Sequence, residues 1–170
     1  MTSFYTVNYL WISIAIITFL VLVSFKIKAP YGRHSNNKWG KMIPNKWGWF
    51  FMELPAFILM PLLSLIGPAK NNSTALLLIA LWVLHYGNRT LIFPFKLKTK
   101  NKKMPVLIVI CACFFNGVNG FLNGYYIGFL KDDNESIFSS RVILGLVVFF
   151  IGMYINKKSD KKLIALRKQN

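Results

Sequence analysis

Acids are the scarcest charged residues in this chain: five Asp plus Glu stand against 21 Lys plus Arg in 170 residues. Three of them, Asp132, Asp133 and Glu135, share one short loop, and Asp160 lies near the C-terminus. Glu53 is therefore alone in the apolar run Trp49-Phe50-Phe51-Met52-Glu53-Leu54-Pro55. Charge of either sign is also thin, at 15% of residues against 55% hydrophobic and 16% aromatic, which excludes an ordinary soluble domain. Cysteine is limited to Cys111 and Cys113, inside an apolar block and at neither a CxxC nor a zinc spacing. That excludes a disulfide framework and a metal site, and the pair reads as small buried hydrophobes.

What is present is a series of long apolar blocks, at about residues 4–25, 47–66, 74–93, 104–130 and 137–155. Each is long enough to cross a bilayer, and the first has neither a positive n-region nor a small-residue cleavage pattern. The spacing predicts an all-α integral membrane protein, residues 1–170 forming one multi-pass domain of about five transmembrane helices. The net charge of +16 falls in short segments between these blocks, which fits membrane topology and not a nucleic-acid surface. Counted in order, the four connections and the tail hold six, one, five, one and six Lys or Arg. This alternation predicts an N-terminus outside and a cytoplasmic tail.

Several polar groups lie within the blocks. A carboxylate in a membrane segment costs several kcal/mol unless it is paired, protonated or facing a polar cavity, so Glu53 reads as functional; the alternative is an acid reaching interfacial water. Trp49 is four residues before it and shares its helix face, while Pro55 and Pro61 each remove a backbone hydrogen bond nearby. The third block ends in His85-Tyr86-Gly87-Asn88-Arg89-Thr90, with Tyr86 and Arg89 three apart. Arg89 has the simpler reading of snorkelling to the basic side. In the fourth block Asn116, Asn119 and Asn123 form one stripe, with Gly117, Gly120 and Gly124 on the adjacent one. The glycines suit close helix packing, and the amides need partners from protein, water or a polar ligand. Beyond residue 155, Asn156, Asp160 and Arg167 fall on one face of a continued helix, whose lysines also suit an amphipathic helix lying on the membrane. The basic connection 26–46 reads as a linker or as a phosphate-contacting loop.

Taken in order, these motifs resemble the steroid 5-alpha-reductase (3-oxo-5-alpha-steroid 4-dehydrogenase) family. The resemblance rests on Ala29-Pro30-Tyr31-Gly32-Arg33-His34, Trp49 to Pro55, His85 to Thr90, Asn119 to Tyr126, and Gly152 to Asn156 through Asp160 to Lys168. It covers what looks like the N-terminal two thirds of a member and implies a seven-helix bundle. It also implies roughly another 80 to 90 residues carrying two more spans and further cofactor contacts. The 170 residues are accordingly expected to be a C-terminally truncated product, a fragment or one part of a split protein.

The implied activity is NADPH-dependent reduction of the C4–C5 double bond of a 3-oxo-Δ4 steroid or related enone lipid. By resemblance, Glu53 and Tyr86 hydrogen-bond the steroid 3-keto oxygen, for which a protonated carboxyl or a phenol is needed, and Trp49 lines the same pocket. Arg89, Asn156, Asp160 and Arg167 match family positions that contact NADPH. The chain has no GxGxxG fingerprint, and the family does not use a Rossmann fold. The alternatives are a non-catalytic membrane remnant or scaffold, a reductase of polyprenols or enoyl lipids, and a membrane methyltransferase. The expected partners are the bilayer and a small lipid or steroid, with no nucleic acid. The membrane would be the endoplasmic reticulum in a eukaryote and the inner membrane in a bacterium.

Overall fold

A computed structural model describes residues 2–27, 34–35, 37–97, 102–131 and 136–166. Five helices in it are long and apolar enough to cross a membrane: Ser3–Ser24, Asn45–Ile66, Ser73–Lys96, Val106–Leu130 and Ser140–Leu166. The chain is thus an all-α, multi-pass membrane protein. The acidic loop and most of the Ala29 to His34 motif lie outside the described residues, as does Arg167.

The centre of the bundle is the contact between α2 (Asn45–Ile66) and α5 (Val106–Tyr125). Just ahead of them, two three-residue strands, β1 (Met42–Pro44) and β2 (Lys103–Pro105), pair antiparallel with Ile43 opposite Met104. This pairing, absent from the sequence expectation, starts both helices at one level, so α2 and α5 run parallel. The Asn116 amide donates to the Met52 carbonyl at 2.6 Å, 64 residues away in sequence. The same offset pairs Gly120 with Ala56, Gly124 with Met60 and Gly128 with Ser64. A Cβ on Gly124 would lie 2.8 Å from the Met60 carbonyl oxygen and 2.9 Å from Leu63 Cβ, so the backbones meet at a distance only glycine allows. Gly117 differs from the sequence expectation: it has open space where its side chain would be, and Gly128 takes its place in the packing stripe.

Pro55 shapes the same seam. It has no N–H to offer the carbonyl of Phe51, four residues back, and its ring crowds that carbonyl. The Cys113 thiol of α5 donates to the vacated Phe51 oxygen at 3.0 Å, one turn from Asn116 on the same face. Cys113 therefore acts as a hydrogen-bond donor, not as the inert small hydrophobe its apolar surroundings imply.

The third helix packs antiparallel to α2. It consists of α3 (Ser73–Gly87), one wide π turn (Asn88–Ile92) and α4 (Phe93–Lys96). Asn72 caps its start by accepting from the Ala75 N–H at 2.9 Å. In the wide turn the Phe93 N–H reaches back five residues to Asn88, just before Pro94. Trp82 donates its indole N–H to the Ala56 carbonyl at 2.9 Å. Below this point Met60, Ala75, Ile79 and Ile127 form a buried apolar cluster that Leu78 and Trp82 cover.

Two helices are peripheral. α1 (Thr2–Ser24) meets α5 antiparallel through aromatic rings, Phe4 against Tyr125 at 5.5 Å and Trp11 against Phe115 at 5.7 Å. α6 (Ser140–Leu166) is one continuous helix of 27 residues, about 40 Å long by its helical rise, against a hydrocarbon core of about 30 Å. Residues 156–166 continue the same helix and do not form a separate surface helix, and its last turns lie at the end of the bundle where β1 and β2 lie.

The seam generates a stability prediction with an internal control. Gly124→Val forces the α2 and α5 backbones apart and is expected to cost about 1–3 kcal/mol of stability. Gly117→Ala, facing open space, is expected to cost little. Thermal unfolding of both variants in detergent checks this, and equal losses would contradict the packing described.

Candidate functional site

Arg89 projects from the wide turn towards α2. Its Nη2 lies 3.3 Å from Glu53 Oε1 and donates to it, while its Nη1 lies 3.6 Å from Asp160 Oδ2 on α6. All three side chains are largely buried, with 12–17% of their surface accessible. The guanidinium also stands 5.0 Å from the Trp49 ring centre and 4.5 Å from that of Phe93, and the two rings meet edge to face at 5.6 Å. One cation thus joins α2, the third helix and α6, with two carboxylates to balance it and two aromatic faces beneath it. Four residues singled out from the sequence, Trp49, Glu53, Arg89 and Asp160, meet here. Arg89 is not a snorkelling cation.

Tyr86 and Asn156 lie on a different feature. Between α3, α5 and α6 there is a partly open cavity of about 740 Å³, whose walls include Leu78, Trp82 and Phe149. Its polar lining comprises Thr74, His85, Tyr86, Asn123, Arg141 and Asn156. Arg141 and Asn156 bracket about 22 Å of the α6 axis. Size, apolar walls and a few converging polar groups are the usual features of a small-molecule site. Glu53, Trp49, Arg89 and Asp160 are not among its lining residues.

The two features are joined through one face of α5. Asn116 holds the Met52 carbonyl beside Glu53 and, three residues on, Asn119 Nδ2 donates to the Tyr86 hydroxyl oxygen at 3.1 Å. Asn123 donates to the Asn119 carbonyl at 2.9 Å and to Asn119 Oδ1 at 3.0 Å. Every amide of the asparagine stripe therefore has a partner within the protein. Tyr86 itself stacks on Trp82 at 4.6 Å and meets His85 edge-on at 5.0 Å. Among the described residues no cluster of His, Cys, Asp or Glu is arranged to hold a metal.

The charge cluster makes a clear prediction. Arg89→Met leaves two buried carboxylates without their cation, at an expected cost of about 3–5 kcal/mol. Adding Glu53→Gln to Arg89→Met is expected to recover part of that loss in a detergent thermal-unfolding series. Strict additivity of the two substitutions would show that the pair is not coupled.

With this geometry in place, comparison with known proteins gives a consistent result. The family described as 3-oxo-5-alpha-steroid 4-dehydrogenase matches residues 102–170. The steroid 5-alpha-reductase DET2 of Gossypium hirsutum is 37% identical over 148 residues, 84% of this chain and 57% of that protein. The DET2 protein of Arabidopsis thaliana is 37% identical over 157 residues, 88% of this chain and 60% of that protein. The 3-oxo-5-alpha-steroid 4-dehydrogenase 1 of Bos taurus is 32% identical over 148 residues, 84% and 57% respectively. The chain therefore spans less than two thirds of the length of these relatives. Together the matches assign this chain, over most of its length, to the steroid 5-alpha-reductase family.

Proposed function

We propose that this chain forms the substrate-facing part of a membrane reductase that uses NADPH to saturate the C4–C5 double bond of a 3-oxo-Δ4 steroid or related enone lipid. The observation that carries this reading is the partly open, mainly apolar cavity with Tyr86 in its wall, in a chain whose relatives are named as steroid 5-alpha-reductases. A flat apolar molecule fits such a cavity, and a phenol can donate to its carbonyl oxygen. That hydrogen bond draws electron density from the conjugated alkene, so C5 becomes the electrophilic position and C4 the site that takes a proton. Preorganised donors aimed at the oxygen where charge develops are commonly the largest single contribution to such reactions.

Glu53 is the second group we assign to the carbonyl end, with Trp49 beside it. Glu53 accepts from Arg89 and stands outside the cavity lining. To donate to a carbonyl it must therefore take up a proton and leave that pair, and the carbonyl must reach past Tyr86 towards it. The polar pair Asn156 and Asp160 suits NADPH. They lie one turn apart on α6, and an amide and a carboxylate match the carboxamide and hydroxyl groups of a nicotinamide nucleotide. Arg89 already engages two carboxylates, so a phosphate would gain full use of this cation only by displacing one of them. Arg167 would supply a further cation for a phosphate. NADPH, when bound, supplies the hydride. We further assign the N-terminus to the outside and the end of α6 to the cytoplasm, from the alternation of basic loops, within a bundle of seven spans in the whole protein.

Two substitutions test this reading in membranes supplied with NADPH and a 3-oxo-Δ4 steroid. In a completed chain, Glu53→Gln is expected to lower the rate of NADPH oxidation by about 100-fold in protein that still folds. Full activity of that variant would remove the proton-donor role of Glu53, because a Gln amide can still donate a hydrogen bond to the carbonyl. Asp160→Ala is expected to weaken NADPH binding at least tenfold, as read by titration of nucleotide fluorescence. An unchanged affinity would remove Asp160 from the cofactor site.

A further inference from the structure

The three hydrogen bonds that end on Tyr86 have a fixed direction, set by a backbone carbonyl at one end. Asn123 Nδ2 lies 2.9 Å from the Asn119 carbonyl oxygen, which can only accept, so the Asn123 amide is oriented with its nitrogen towards Asn119. The same nitrogen lies 3.0 Å from the Asn119 side chain, so the atom it meets there must be the acceptor, Oδ1. Turning the Asn119 amide over would set two NH2 groups against each other. With Oδ1 facing Asn123, Nδ2 of Asn119 faces Tyr86 and donates to the phenol oxygen at 3.1 Å. Among the described residues no acceptor takes the Tyr86 O–H, and Tyr86 lines the cavity.

We propose that Asn119 and Asn123 are positioning residues that make Tyr86 a one-way hydrogen-bond donor into the cavity, selecting ligands that present a carbonyl oxygen there. The proposal rests on the enone reading above and extends it to two residues that touch neither the reacting carbons nor the cofactor. A free phenol can turn its proton towards any neighbouring acceptor, or accept from a ligand hydroxyl. With one lone pair of its oxygen already occupied and the ring clamped on Trp82, its remaining polar function is the outward O–H. A carbonyl oxygen completes this arrangement. A ligand group able only to donate finds the phenol oxygen already engaged by Asn119.

The probe is a 3-oxo-Δ4 steroid carrying carbon-13 at C3, bound to the protein in detergent, with the C3 carbonyl stretch read by difference infrared spectroscopy. Hydrogen-bond donation lowers that frequency, and the part of the lowering that Tyr86→Phe removes belongs to Tyr86. Asn119→Leu is expected to lose at least half of that part, and Asn123→Leu a smaller share, both read on the steroid-bound protein at saturating steroid. A purely structural role would not produce this graded order. A folded, steroid-binding Asn119→Leu protein with the full Tyr86 part intact would overturn the proposal. Should Asn119→Leu fail to fold, Asn123→Leu decides by itself, because the exposed Asn123 side chain can be replaced without opening the core, and an unchanged frequency there overturns the proposal equally. If the unsubstituted protein binds no steroid, the enone reading fails and takes this proposal with it. If it binds steroid but Tyr86→Phe leaves the frequency unchanged, the Tyr86 role alone fails.

Discussion

Everything in this bundle depends on how α2 meets α5. In hydrocarbon no water satisfies a freed backbone carbonyl, so a proline in a spanning helix needs a partner elsewhere. Pro55 frees the Phe51 carbonyl, and α5 answers with the Cys113 thiol and, one turn along, the Asn116 amide. The glycines that follow let the two backbones approach closely enough for these short side chains to reach. Widening the seam would break both hydrogen bonds and would move Asn119 and Asn123, which share that helix. Packing and polar placement are the same feature here.

The second constraint is charge. A strongly basic chain has placed two of its five acids against one arginine in its interior. Such a cluster is not a strong source of stability, because desolvating each ion offsets much of the attraction. Its value lies in geometry. The guanidinium fixes Glu53 relative to the end of α6, a peripheral helix that otherwise borders the core across an open cavity. The wide turn at Asn88–Ile92 contributes as well, since its extra residue changes the direction in which the following side chains leave the helix.

Much of the fold was legible in the sequence because the bilayer imposes a simple rule on span length. The five apolar blocks each correspond to one of the five long helices, although the last helix runs on to Leu166, and the roles of Gly120 and Gly124 followed from their spacing. The site residues were legible as a set, through polar groups in apolar blocks and through the ordered family motifs. Their pairings were not. Arg89 and Glu53 stand 36 residues apart and were assigned to different ligands, and no local pattern says that they touch. Pro55 does announce a vacant carbonyl at Phe51, but nothing in the helix itself identifies Cys113 as the group that fills it. The three-residue strands were invisible for a related reason: their pairing connects loops about sixty residues apart, and neither segment alternates long enough to read as a strand.

Those short strands work as a ruler. Because Met42–Pro44 and Lys103–Pro105 are tied to each other immediately before α2 and α5 begin, the phase of each helix is counted from the same mark. One residue added before Lys103 only lengthens a connection. One residue added between Pro105 and Asn116 turns the rest of α5 by about 100° and carries the asparagines away from Met52 and Tyr86 together. The spacing from strand to stripe is thus as much a part of the site as the side chains themselves.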